Sequence, residues 1–65
     1  MSDDRIAEIL VEQSDVLYKR YLDYKELGNI DLATIYSEKV RTVMLLAACF
    51  GVWDKIKPTV DCYKL

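Results

Sequence analysis

The chain has no histidine, one proline, two glycines and two cysteines in its 65 residues, and each shortage excludes something. Without His, the commonest general base and the commonest metal ligand are both missing. Cys49 and Cys62 alone, with no His to join them, form no zinc ligand set. Two glycines cannot build a Gly-rich phosphate loop or a dinucleotide fingerprint. Long disorder is excluded as well, because 52% of the residues are hydrophobic and 31% are charged.

Charge of either sign is modest. Nine basic and eleven acidic residues leave a net charge of −2, and no basic run stands out. Nucleic-acid binding needs phosphate neutralisation, so it is not expected. Nor is there a polybasic segment to attract anionic lipid. The hydrophilic, acidic start Met1-Ser2-Asp3-Asp4 does not read as a secretory signal. The expected location is the cytoplasm, where Cys49 and Cys62 are thiols that pack as small hydrophobes or stand by.

What the chain has in excess is an uncharged run from Val43 to Trp53, apolar on every side of a helix. It falls well short of the roughly 20 residues that span a bilayer, so no membrane partner is expected. Something proteinaceous must cover it. A chain this short buries only about 60% of its unfolded surface, and small domains commonly reach stability by oligomerising.

The helical pattern surrounds that run. Ser2 suits an N-cap, with Asp3 and Asp4 at the positive end of the dipole. Ile6, Leu10, Leu17, Tyr21 and Tyr24 then fall on one helical face, flanked by Ala7, Val11, Ser14, Tyr18 and Leu22. Ile9, Val16 and Leu27 lie outside this already wide arc. Gly28-Asn29 ends one helix and caps the next, so the two helices are antiparallel neighbours. In the second helix Ala33, Tyr36, Val40, Val43, Ala47 and Phe50 repeat at the spacing of a coiled-coil seam.

The expected fold is all-α: one domain over residues 1–65, with helix 3–27, turn 28–29, helix 30–56 and tail 57–65. This is an antiparallel two-helix hairpin with a short C-terminal helix or a docked tail, assembled into a helical-bundle oligomer. Pro58 bars simple continuation of the second helix and would sit at the first position of any third one. Val60, Tyr63 and Leu65 give the tail enough apolar surface to fold over Trp53 or Phe50.

The segment from Tyr24 to Ala33 locally resembles the turn of a tetratricopeptide hairpin, with a Tyr before a Gly-Asp-type turn and an Ala after it. The likeness spans about a quarter of the chain. It implies shared hairpin chemistry only: Tyr21 and Leu45 stand where that family has Gly and Pro, and such repeats stack in threes or more.

No residue set carries an enzymatic motif. Glu8 and Glu12 form a helix-face pair with no His to complete a di-metal site, and Ser14, Ser37, Cys49 and Cys62 lack an activating partner. The expectation is therefore a non-enzymatic small helical interaction protein without cofactor or metal. It self-associates through the apolar 43–53 segment, with Ile9, Val16, Leu45, Leu46, Cys49, Phe50, Val52 and Trp53 at the interface. The alternative is a small accessory or inhibitor module, of the kind found in phages, that docks its apolar helix face on a larger protein. Tyr18, Tyr21, Tyr24, Tyr36 and Tyr63 serve either a small core or an interface rim.

Overall fold

A computed structural model describes residues 2–65. Three helices follow in order: α1 (Asp3–Glu26), α2 (Ile30–Cys49) and α3 (Trp53–Val60). Among the described residues no strand occurs. The caps are those the residue types favour. The Ser2 hydroxyl accepts the Arg5 N–H at 3.2 Å, and the Asn29 side-chain oxygen accepts the Leu32 N–H at 3.2 Å.

α1 and α2 form the antiparallel hairpin, and their seam follows the helical spacing. Ala7, Leu10, Ser14 and Tyr21 of α1 are buried, as are Ala33, Ser37, Val40, Val43 and Ala47 of α2. Small residues dominate this seam and let the helix backbones come close. The two buried serines carry no polar penalty, because each hydroxyl bonds its own helix: Ser14 to the Val11 carbonyl at 3.0 Å, Ser37 to the Thr34 carbonyl at 2.8 Å.

The expected helix 30–56 is two helices. α2 stops at Cys49, and Gly51 takes φ +73°, a left-handed conformation that terminates a helix at low cost only in glycine. Val52, the next residue, donates its N–H back to the Ala47 carbonyl at 2.9 Å and buries its side chain. The chain then turns into α3, which lies against the α1–α2 pair. Val52 and Ile56 complete a core with Ala7, Leu10, Val43 and Ala47, while Trp53 and Val60 pack at its margin. Each fully buried aliphatic side chain of this kind is worth about 1.5–3 kcal/mol.

Pro58 lies inside α3 and does not open it. Its fixed φ is helical, so what it removes is one hydrogen bond. Both Pro58 and Asp54, four residues before it, are exposed, so water can serve the carbonyl left without a donor.

The tail docks elsewhere than on Phe50. Tyr63 stacks on Tyr18 with ring centroids 4.3 Å apart, and its hydroxyl donates to the Asp15 carboxylate and lies 2.9 Å from the Ser14 hydroxyl. The Tyr18 hydroxyl accepts the Lys64 N–H at 2.9 Å. Burial and the Asp15 carboxylate together push the Tyr63 hydroxyl pKa up to about 12.

Candidate interaction surface

α3 and the tail cover one face of the hairpin and leave the opposite face open. With ~100° per residue, Ala7, Val11, Asp15 and Tyr18 of α1 turn toward the covered side. Ile6, Ile9, Gln13, Leu17, Arg20 and Tyr24 turn the other way. On α2 the corresponding open strip is Leu32, Ile35, Lys39, Leu46 and Phe50. The two strips meet across the groove: Tyr24 stacks on Tyr36 at 5.4 Å, and Ile6, Ile9, Leu10 and Phe50 line a wholly apolar hollow of about 370 Å³.

Several residues expected at an interface belong to this open face. Ile9 is half-buried in the hollow, Leu46 is exposed beside it, and Phe50 is 57% exposed at its rim. Val16 is exposed at the outer edge of α1. By its spacing Phe50 belongs to the hairpin seam; the helix ends before it, and the ring turns outward.

The others part company. Val52 is 1% exposed and is a core residue of the chain itself, so it presents no surface to a partner. The turn at Gly51 is the reason: it swings Val52 under the hairpin. Trp53 is half-buried and packs against that same core. Leu45 is 67% exposed on the α3 side, where it lines a second hollow of about 500 Å³ with Arg41, Met44, Ala48 and Trp53. Cys49 is exposed, as is Cys62, so neither fills the core as a small hydrophobe would.

Ile35, Leu27 and Ile30 are exposed apolar residues that the interface reading did not include. Ile35 could have been found, since it shares a strip with Leu46 by helical spacing. Leu27 and Ile30 flank the Gly28 turn, where a sequence pattern offers no partner helix to test them against.

Charge divides as sharply as apolarity. Taking a strip about 100° wide on each helix, the open face holds Arg20 and Lys39 and no carboxylate. The ion pairs lie away from it: Arg5–Glu8 at 3.0 Å, Lys55–Asp4 at 2.7 Å and Lys57–Asp61 at 2.8 Å. Lys55, by hydrogen bond and charge, holds the Asp4 carboxyl below its ordinary pKa, and the pairing raises Lys55 in turn. Both groups are exposed, so the pair aligns α3 with the start of α1 more than it stabilises the fold.

Among the described residues, no three Asp, Glu or Cys side chains gather into a metal-binding group, and no helix is long and apolar enough to cross a membrane. No known protein family, curated protein or solved structure matches the chain.

Proposed function

We propose that this chain is a non-enzymatic helical interaction protein that self-associates through the exposed part of the 43–53 segment. The observation that carries the reading is the open face: Phe50 and Leu46 stand exposed beside the apolar hollow of Ile6, Ile9 and Leu10. Scattered exposed apolar residues need no explanation, but a contiguous strip along both helices of a small domain does. Two hairpins laid face to face would make a four-helix bundle, with α3 of each on the outside. The setting is cytoplasmic, where Cys49 and Cys62 stay reduced.

Sedimentation equilibrium is the test. Dimers or higher oligomers at micromolar concentration are the expected result, and a well-folded monomer overturns the proposal. Phe50→Asp and Leu46→Glu should lower the mass and leave the helical circular dichroism intact, because both side chains are exposed in the single chain.

A larger protein partner is the second reading. The hollow at Leu45 favours it, because that hollow faces the α3 side and a face-to-face pair would leave it uncovered. If the oligomer forms and Leu45→Glu leaves its mass unchanged, that hollow stays free for such a partner.

A further inference from the structure

We propose that the self-associated form exchanges α3: the Gly51 turn straightens, and α3 with its tail packs on the hairpin of a second copy. The inference rests on the self-association reading and gives the route by which the 43–53 segment joins two chains. Where α3 is tied is the first support. Lys55 pairs with Asp4 at 2.7 Å, Tyr63 bonds Asp15 and Ser14 and stacks on Tyr18, and the Tyr18 hydroxyl accepts the Lys64 N–H. All these partners belong to α1. Among the described residues no side-chain hydrogen bond or ion pair joins α3 or the tail to α2. The hinge is the second support. Phe50 is already helical at φ −84° and ψ −2°, and Val52 lies near helical values at φ −113° and ψ 15°. Gly51 alone, at φ +73°, holds the left-handed torsion that bends the chain, and no side chain caps the helix that follows. Turned to right-handed values, Gly51 would merge α2 and α3 into one helix over residues 30–60, much as the apolar run predicts. The third support is what the closed chain leaves bare at the hinge: Leu46, Cys49 and Phe50 are all exposed.

In the closed chain α3 and the tail run back along the hairpin, from Val52 beside Ala47 to Tyr63 beside Ser14. In the exchanged pair the two long helices run antiparallel and cross at Gly51, where the two-fold axis lies. Val52 and Ile56 of one copy enter the core of Ala7, Leu10, Val43 and Ala47 of the other. Lys55 reaches the other copy's Asp4, and Tyr63 its Ser14 and Asp15. The contacts that hold α3 in the closed chain are thereby re-formed between copies, and only the turn is lost. The exchange also brings the Gly51 ends of the two hairpins together. Leu46, Phe50 and the hollow of Ile6, Ile9 and Leu10 then meet their counterparts near the axis. That apolar contact is new to the pair and favours it over two closed chains. A hinge of so few residues is the arrangement that invites such exchange.

The native Lys55–Asp4 pair reads the exchange directly. Unlabelled and heavy-isotope-labelled wild-type chains are unfolded together, refolded, and separated by size. The dimer is then treated with a carbodiimide, which joins a lysine amine to a carboxylate in contact with it. Mass spectrometry of the joined Lys55 and Asp4 peptides shows whether they carry the same label. Mixed-label and same-label pairs in equal number are the expected result. A dimer that gives only same-label pairs overturns the exchange and leaves a face-to-face pair standing. A folded wild-type monomer overturns self-association and the exchange with it. The hinge is read separately by two alanine variants, which lose equally where the closed chain prevails and part where the dimer forms. Gly51→Ala should shift the sedimentation equilibrium toward dimer by about tenfold or more, because alanine resists the left-handed turn and favours the straight helix. Gly28→Ala, at a turn that both forms keep, should not. Equal dimer fractions in the two variants overturn the straightened hinge.

Discussion

The two glycine turns are built alike and face opposite surroundings. After α1, Gly28 takes φ +76°, donates to the Lys25 carbonyl at 3.1 Å, and is followed by Asn29 donating to the Tyr24 carbonyl at 2.9 Å. After α2, Gly51 takes φ +73° and donates to the Ala48 carbonyl at 3.1 Å, and Val52 donates to the Ala47 carbonyl at 2.9 Å. Both are the same left-handed helix ending. The residue that follows decides what each turn does. Asn29 is exposed and caps α2, so the first turn merely reverses the chain at the water-facing tip. Val52 is buried beside Ala47, so the second turn anchors α3 to the hairpin core. A local motif thus ends a helix in either place, and burial alone makes one of the two structural.

The largest break in that comparison is Val52→Asp. An unpaired carboxylate in the core should cost more than about 3 kcal/mol, enough to unfold a domain of this size at neutral pH. Asn29→Asp at the matching position of the first turn should change stability little, because Asp caps as well as Asn. Chemical denaturation of the two variants checks the contrast.

Next come the glycines. Nothing lies within 4 Å of a Cβ built at either Gly28 or Gly51, so alanine meets no clash and pays only for the left-handed backbone, about 1–2 kcal/mol. Gly28→Ala and Gly51→Ala should therefore be destabilised equally in a two-state melt. A larger loss at Gly51 would mean that strain there passes into the docking of α3.

Asn29→Ala is expected to cost about 1 kcal/mol through loss of the cap to Leu32. No side chain caps α3 at all, so a turn that relies on burial has no equivalent substitution to make.

The smallest effect is tied to pH and to the tail that follows α3. Tyr63 is raised to about 12 in the folded chain, above the ordinary value of 10.0. The folded state therefore holds this proton more tightly. Its contribution is complete below pH 10 and is lost as pH climbs toward 12. The group is only partly buried, so solvent screening limits the contribution to about 1 kcal/mol. Tyr63→Phe should flatten the stability curve above pH 10 relative to wild type; parallel curves would show that the Asp15 contact does not bear on folding.

Much of the hairpin is readable from its residues. Most of the buried set of α1 and α2 follows apolar and small residues at three- and four-residue spacing, and Ser2, Gly28 and Asn29 mark the helix boundaries. Ser37 is the exception: a polar residue type that belongs by pattern with Thr34, Glu38 and Arg41 on the far side of α2, it is buried in the seam instead, its hydroxyl satisfied by the Thr34 carbonyl. Gly51 carries the same signal as Gly28, yet it sits inside an uncharged run and reads there as part of a continuous apolar helix. The pattern of polarity masked the pattern of backbone freedom. Once the turn is in place, the run separates into a core portion, Val43, Ala47 and Val52, and an outward portion, Leu45, Leu46 and Phe50. Met44 and Trp53, half-buried, lie between.

The sequence by itself determined the helical class, the antiparallel pairing of α1 with α2 and the caps, because these depend on local hydrogen bonding and on periodicity along one chain. Tertiary structure alone decided which side of the hairpin α3 covers. It also decided that Tyr63 reaches back to Ser14 and Asp15, and that Val52 is core while Phe50 is surface. Those outcomes depend on the direction in which the backbone leaves Gly51 and on the space beneath Ala7 and Ala47. Neither has a counterpart in the spacing of residues along the chain.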